Sequence, residues 1–134
     1  MSLIGLFSCK STSYTPVDYP DAMITFGSGG GFTGIKTEYT LLKNGQLFRK
    51  SSNEQEHTAL KSVGKNKTSQ IFENLKTLGI ADIKFNHAGN MNTYVKTKID
   101  GIENNINWGQ PGPPPPKDVK LMYSILMNLI KNNK

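Results

Sequence analysis

The chain has 134 residues, 36% of them apolar and 9% aromatic, enough for one modest core and too few for a two-lobed or full-barrel catalytic fold. Its formal net charge of +6 implies an acidic partner or surface, yet fifteen of the sixteen basic residues are lysine and Arg49 is the only arginine, which argues against nucleic acid, whose phosphates and base edges favour the planar guanidinium fork. The single cysteine, Cys9, excludes an internal disulfide framework and a cysteine-rich zinc site.

In chain order, residues Leu3 to Phe7 form a short apolar run that ends in Ser8 and Cys9. Leu6-Phe7-Ser8-Cys9 resembles a bacterial lipobox, in which the chain is cut before the cysteine and a lipid is attached to its sulfur. The expected division is a partial lipoprotein signal segment at 1–8, a lipidated Cys9 with its tether at 9–20, and a single binding domain at 21–134. Residues 1–8 carry no lysine or arginine, whereas a signal peptide needs a basic start; the alternative is an ordinary first strand with a free thiol. In lipoproteins of the Bacteroidota, acidic residues just after the cysteine mark export to the cell surface. Lys10 to Ser13 contain none, so the resemblance implies an outer-membrane lipoprotein facing the periplasm.

From Asp21 the pattern turns to strands. Residues 22–26 read as a short strand, interrupted by the glycine-rich run 27–34. Ile35, Thr37, Tyr39 and Leu41 alternate with polar residues, so one face of that strand is expected to be buried. Asn44-Gly45 predicts a hairpin with a type I′ turn, and residues 57–63 a further strand. Ile71, Phe72, Leu75 and Leu78 recur at helical spacing before Gly79, with Asn66 or Thr68 as the expected cap. Asp100-Gly101 predicts a second hairpin, between 92–99 and 102–108. After the proline run 111–116 comes a helix to about Lys131. Its core stripe is Val119, Met122, Tyr123, Leu126, Leu129 and Ile130, and Leu121 and Ile125 form a second apolar row. Either the helix is wedged between two layers, or that row meets a partner. The fold class is α+β: an antiparallel sheet of two hairpins plus flanking strands, packed with two helices.

Little in the sequence carries chemistry. The run from Gly29 to Gly34 formally fits G-x-G-x-x-G, but a dinucleotide site needs a helix next, and a β-patterned stretch follows instead. His57 and His87 belong to no metal-binding spacing. No Gly-x-Ser-x-Gly elbow occurs. No catalytic residue, metal or cofactor is expected. Either the glycines form a bulge or wide turn, or Gly29, Gly30, Gly31, Phe32, Thr33 and Gly34 form a backbone-rich loop that lies against a partner, with Phe32 as its apolar anchor. Lys96 and Lys98 are expected on a solvated outer sheet face.

The run Ser28-Gly-Gly-Gly-Phe-Thr-Gly34, followed by strand, helix, two strands and a closing helix, resembles the emfourin family, small bacterial inhibitors of thermolysin-type metallopeptidases. The likeness spans about 22–131 in architecture; an extra glycine, and Thr33 for alanine, depart from the family's run. The resemblance implies that the loop enters the peptidase cleft while the neighbourhood of His87 and Asn90 widens the contact. The alternative is an accessory lipoprotein subunit of an outer-membrane protein assembly, with Leu121 and Ile125 as contacts.

Overall fold

A computed structural model describes residues 13–31 and 34–133. Seven strands form one sheet, β1 (Met23–Gly30), β2 (Lys36–Leu42), β3 (Leu47–Ser51), β4 (Thr58–Leu60), β5 (Asn86–His87), β6 (Met91–Ile99) and β7 (Ile102–Gln110), in the order β4-β3-β2-β1-β6-β7-β5. Every pairing is antiparallel except β5 with β7. Two helices, α1 (Lys65–Thr77) and α2 (Lys117–Lys131), complete an α+β fold, with a short 3-10 turn at Ile80–Asp82.

Strand alternation and helical spacing converge on one core. Ile24 and Phe26 from β1, Leu41, Leu47, Val95 and Ile106 from their neighbours, Ile71 and Leu75 from α1, and Val119, Met122, Leu126 and Leu129 from α2 are buried together. Each such large side chain stabilises the fold by about 1.5–3 kcal/mol relative to exposure. Both helices therefore share one sheet face, and α2 is not wedged between layers. Ile125 packs against the same core, while Leu121 stays 51% exposed, so the second apolar row shrinks to one uncovered side chain.

Among the described residues, the opposite, outer face carries a second small apolar cluster at one corner. Tyr19 is buried against Met23, Leu42 and Phe48, and Tyr14 packs at its edge with ring centroids 5.1 Å apart. The Gln46 amide fixes Tyr14 from both sides, accepting from its backbone N at 3.1 Å and donating to its carbonyl at 3.2 Å. The expected tether thus joins the domain from Ser13 onward, because its two tyrosines supply apolar area that a core pattern of aliphatic residues does not reveal.

The turns divide by backbone conformation. Asp100 and Gly101 both have positive φ, 54° and 77°, joining Ile99 to Ile102 in the two-residue form whose twist matches the strands. Asn44-Gly45 does not make the expected type I′ turn: only Gly45 has positive φ. Leu42 N donates to Gln46 O, which leaves a loop of three residues, Lys43 to Gly45, with Gly45 N donating to Leu42 O and the Asn44 side chain accepting from Gln46 N at 2.9 Å. A local Asn side-chain bond has won over the left-handed pair. Helix α1 likewise starts at Gly64 without a side-chain cap. Thr68 lies inside the first turn, donating back to Gly64 O at 2.8 Å. Gly79 ends the helical segment at φ 65°, as its position suggests.

Two polar groups organise the sheet. Asn104, the one polar residue on the core face of β7, is 6% exposed; it donates to Ile83 O at 2.9 Å and to Ile80 O at 3.4 Å and accepts from Lys84 Nζ at 2.9 Å. It ties the 3-10 turn and the chain leading to β5 onto the sheet. On the outer face Tyr94 reaches from β6 across β1 and donates to Glu38 Oε1 on β2 at 2.7 Å. Gly27 is the register partner of both residues, so this bridge runs over a position without a side chain. Burial and the Glu38 carboxylate together push the Tyr94 phenol well above its ordinary range.

Candidate functional site

The glycine-rich run does not interrupt β1 at Gly27, as its composition suggests; the strand continues to Gly30. A Cβ at Gly27 would collide with Thr37 O and Glu38 Cα on β2, and one at Gly29 with Lys36 Cα and Ile35 O. These glycines let two backbones approach closely. Gly29, Gly30 and Gly31 then have φ of 155°, 100° and 67°, and Gly34 one of 71°, so the chain leaves the strand through conformations that side chains resist. Phe32 and Thr33 lie outside the described residues, as does Cys9.

The loop's base is held by backbone bonds. Gly30 N donates to Ile35 O at 3.1 Å, and Gly31 N donates to Asn90 O at 2.8 Å. Asn90 is itself positioned by its N–H, which donates to Gln110 O at 3.1 Å. The link from β5 to β6 passes over β7 at Gly109, where a Cβ on Gly89 or on Gly109 would strike the other's backbone. Two glycines far apart in sequence therefore set the place of Asn90, and Asn90 sets the place of Gly31. The structure brings together the base of the glycine loop and Asn90.

His87 has a different position. It pairs with Trp108 in β5, with its ring 4.5 Å from that of Phe85, and does not take part in the bonds at the loop base. Leu121 and Ile125 belong to α2 and are likewise absent from them.

Two further side chains frame this end of the sheet. Ile35, just before β2, is 43% exposed, and Met91, at the start of β6, is 48% exposed. The period-two pattern places Ile35 on the buried face, and its parity is right; the core gives out before that end of the strand. Met91 opens β6, one residue earlier than the alternation indicates. A signal for both exists only in three dimensions, since Met91 is the register partner of Gly30. Beneath them, Trp108 and Tyr123 meet edge to face at 5.7 Å, and the Tyr123 hydroxyl is hydrogen-bonded with Ser28. Burial raises the Tyr123 phenol, and the Ser28 bond opposes part of that rise. An aromatic pair thus lies at the register row next inward from the loop base.

Chemically this end of the sheet offers a held backbone, two partly exposed apolar side chains and no assembled acid, base or nucleophile among the described residues. Among those residues no cluster of three or more His, Cys, Asp or Glu side chains has metal-binding proximity, and no helix is long and apolar enough to cross a membrane. No protein-family model matches the chain, and no curated protein matches it.

Proposed function

We propose that this chain is a non-enzymatic, lipid-anchored module of the bacterial envelope, facing the periplasm, that inhibits a thermolysin-type metallopeptidase through the loop spanning Gly29, Gly30, Gly31, Phe32, Thr33 and Gly34. The observation that carries the reading is the anchoring of Gly31 to Asn90. An inhibitor gains affinity when the contacting backbone is ordered before it binds, and the bond from Gly31 N to Asn90 O supplies that order at the loop base. Thermolysin-type enzymes favour a bulky apolar side chain after the scissile bond, and Phe32 follows Gly31. With its N–H tied back and φ at 67°, Gly31 is not in the extended form of a peptidase substrate, so the loop fits a role that occupies a cleft rather than one that is cut. Ile35 and Met91 supply apolar contact beside it.

The supporting experiment is titration of a thermolysin-type peptidase with the full chain and its Phe32→Ala variant. Loss of an anchoring aromatic should weaken binding by about 2 kcal/mol or more, roughly a thirtyfold rise in the inhibition constant. An unchanged constant would remove Phe32 from the mechanism.

Leu121 favours a second reading. It is half-exposed on a helix whose other apolar residues are buried or partly buried against the core, which suits an accessory subunit docked on an outer-membrane assembly. Recovery of one stoichiometric membrane partner by cross-linking, lost in Leu121→Glu, would favour it over inhibition.

A further inference from the structure

At the end of the sheet opposite the glycine loop, three elements meet around a groove of about 410 Å³. The chain leaving β4 supplies Lys61, Ser62 and Val63, and the first turn of α1 supplies Lys67. The end of α2 and the residues after it supply Asn128, Leu129, Asn132 and Asn133. The Asn133 side chain ties two of these walls together: it donates to Lys61 O at 2.7 Å and accepts from Lys61 N at 3.3 Å. Val63 is fixed in turn by its N–H, which donates to Gly45 O at 2.8 Å. Leu129, 8% exposed, and the partly buried Val63 give the groove its apolar part.

Charge here has one sign. The lining holds two lysines and no carboxylate. One step beyond the Leu47–Leu60 pair, Lys61 comes level with neutral Gln46. Lys67 has Val63, Gly64, Gln70 and Ile71 at helical contact spacing, again without an acid. No acidic residue occupies the first turn of α1, and the last turn of α2 adds Lys131. The one ion pair among the described residues joins Arg49 to Glu54, so neither lysine of the groove has a paired carboxylate. Neutral donors stand beside the cations. Among the described residues the side chains of Ser62, Asn128 and Asn132 form no hydrogen bond, whereas Asn133 is spent on Lys61. Two carbonyls at the end of α2, Asn128 O and Ile130 O, are already occupied by Asn132 N and Asn133 N.

We propose that this groove binds a small phosphate monoester, with its head between Lys61 and Lys67 and its organic part on Val63 and Leu129. Charge matching selects the ligand. A phosphate monoester carries about −1.5 to −2 at neutral pH, which two ammonium groups balance, whereas a carboxylate or a sulfate ester leaves one lysine unpaired. Its remaining oxygens accept from the Ser62 hydroxyl and the Asn128 and Asn132 amides. The volume falls within the range of small-molecule clefts, about 300–1,000 Å³, and a concave site suits a compact ligand better than a flat bilayer. The groove is remote from the glycine loop and does not depend on the inhibitory role.

The test is titration of the isotope-labelled full chain with phenyl phosphate, followed by its amide NMR shifts. Saturable shifts confined to residues 61–67 and 128–133 are expected. Phenyl sulfate, with a single negative charge, should bind about fivefold more weakly. Lys61→Gln and Lys67→Gln should each weaken phenyl phosphate by about threefold to fivefold, and together by about tenfold or more. Lys65→Gln, outside the lining, should change it little, and thermal unfolding checks that the variants remain folded. Equal binding of phenyl sulfate, shifts spread over lysines of the whole surface, or unchanged affinity in the folded double variant would overturn the proposal. Lysine-dependent capture of phosphatidic acid vesicles without binding of phenyl phosphate would assign the groove to a lipid headgroup and overturn it too.

Discussion

Gly27→Ala is expected to lower stability by about 3 kcal/mol, a large effect for the addition of one methyl group. Gly27 is central in the sheet, flanked by β2 and β6, and a Cβ there would run into the backbone of Thr37 and Glu38 rather than the end of a flexible side chain. Backbone in a central strand cannot move aside without breaking its own ladder, so overpacking falls at the upper end of its usual range of about 1–3 kcal/mol. The same methyl enters the path of the Tyr94–Glu38 bridge, and hydrogen bonds to charged groups contribute about 1.5–3 kcal/mol. Urea unfolding of Gly27→Ala, Tyr94→Phe and the double variant measures this. Because both changes act on one bridge, the double variant should be less destabilised than the sum of the singles. A loss of under 0.5 kcal/mol in Gly27→Ala would show that the bridge and the close approach do not constrain the fold.

Asn104→Leu should cost about 2 kcal/mol although it exchanges a polar core residue for an apolar one of similar size. The amide serves two carbonyls, Ile80 O and Ile83 O, and receives Lys84 Nζ. Leucine leaves Ile83 O without its side-chain donor, while Ile80 O keeps the Ile83 N–H and the exposed Lys84 turns to water; an unsatisfied buried group costs about 1–3 kcal/mol. The damage should be local as well as global. Amide hydrogen exchange should quicken first from Ile80 to His87, because the 3-10 turn and β5 hang on this side chain, while β1 and β2 keep their protection. Uniform acceleration over the whole sheet would contradict the assignment.

The architecture was legible from periodicity because its hairpins and helices are local objects. Ile71 and Leu75 or Val119, Met122 and Leu126 announce a buried stripe by spacing alone, and Asp100-Gly101 announces its own turn. What stayed hidden depends on partners distant in the chain. Asn104 reads as an exception to the apolar parity of β7 until the carbonyls of Ile80 and Ile83 are beside it. Strand β5 has only two residues and a parallel partner, too short to show alternation. The glycines were legible as a feature and not as a mechanism: Gly27 and Gly29 belong to strand crowding, Gly30 and Gly31 to the loop. Gly89 and Gly109 carry no local signal of their crossing, because each matters only to the other's backbone. The bond from Gly31 N to Asn90 O has no local signal in the sequence, and Ile35 and Met91 came only from the register.

The central claim is that the loop held on Asn90 occupies the cleft of a thermolysin-type peptidase. The most direct measurement is the activity of such an enzyme against rising concentrations of the full chain, repeated at several concentrations of a small peptide substrate. Tight inhibition is expected, with an apparent constant that rises linearly with substrate concentration, because loop and substrate exclude one another. Full activity at high micromolar chain, or inhibition indifferent to substrate concentration, would contradict it.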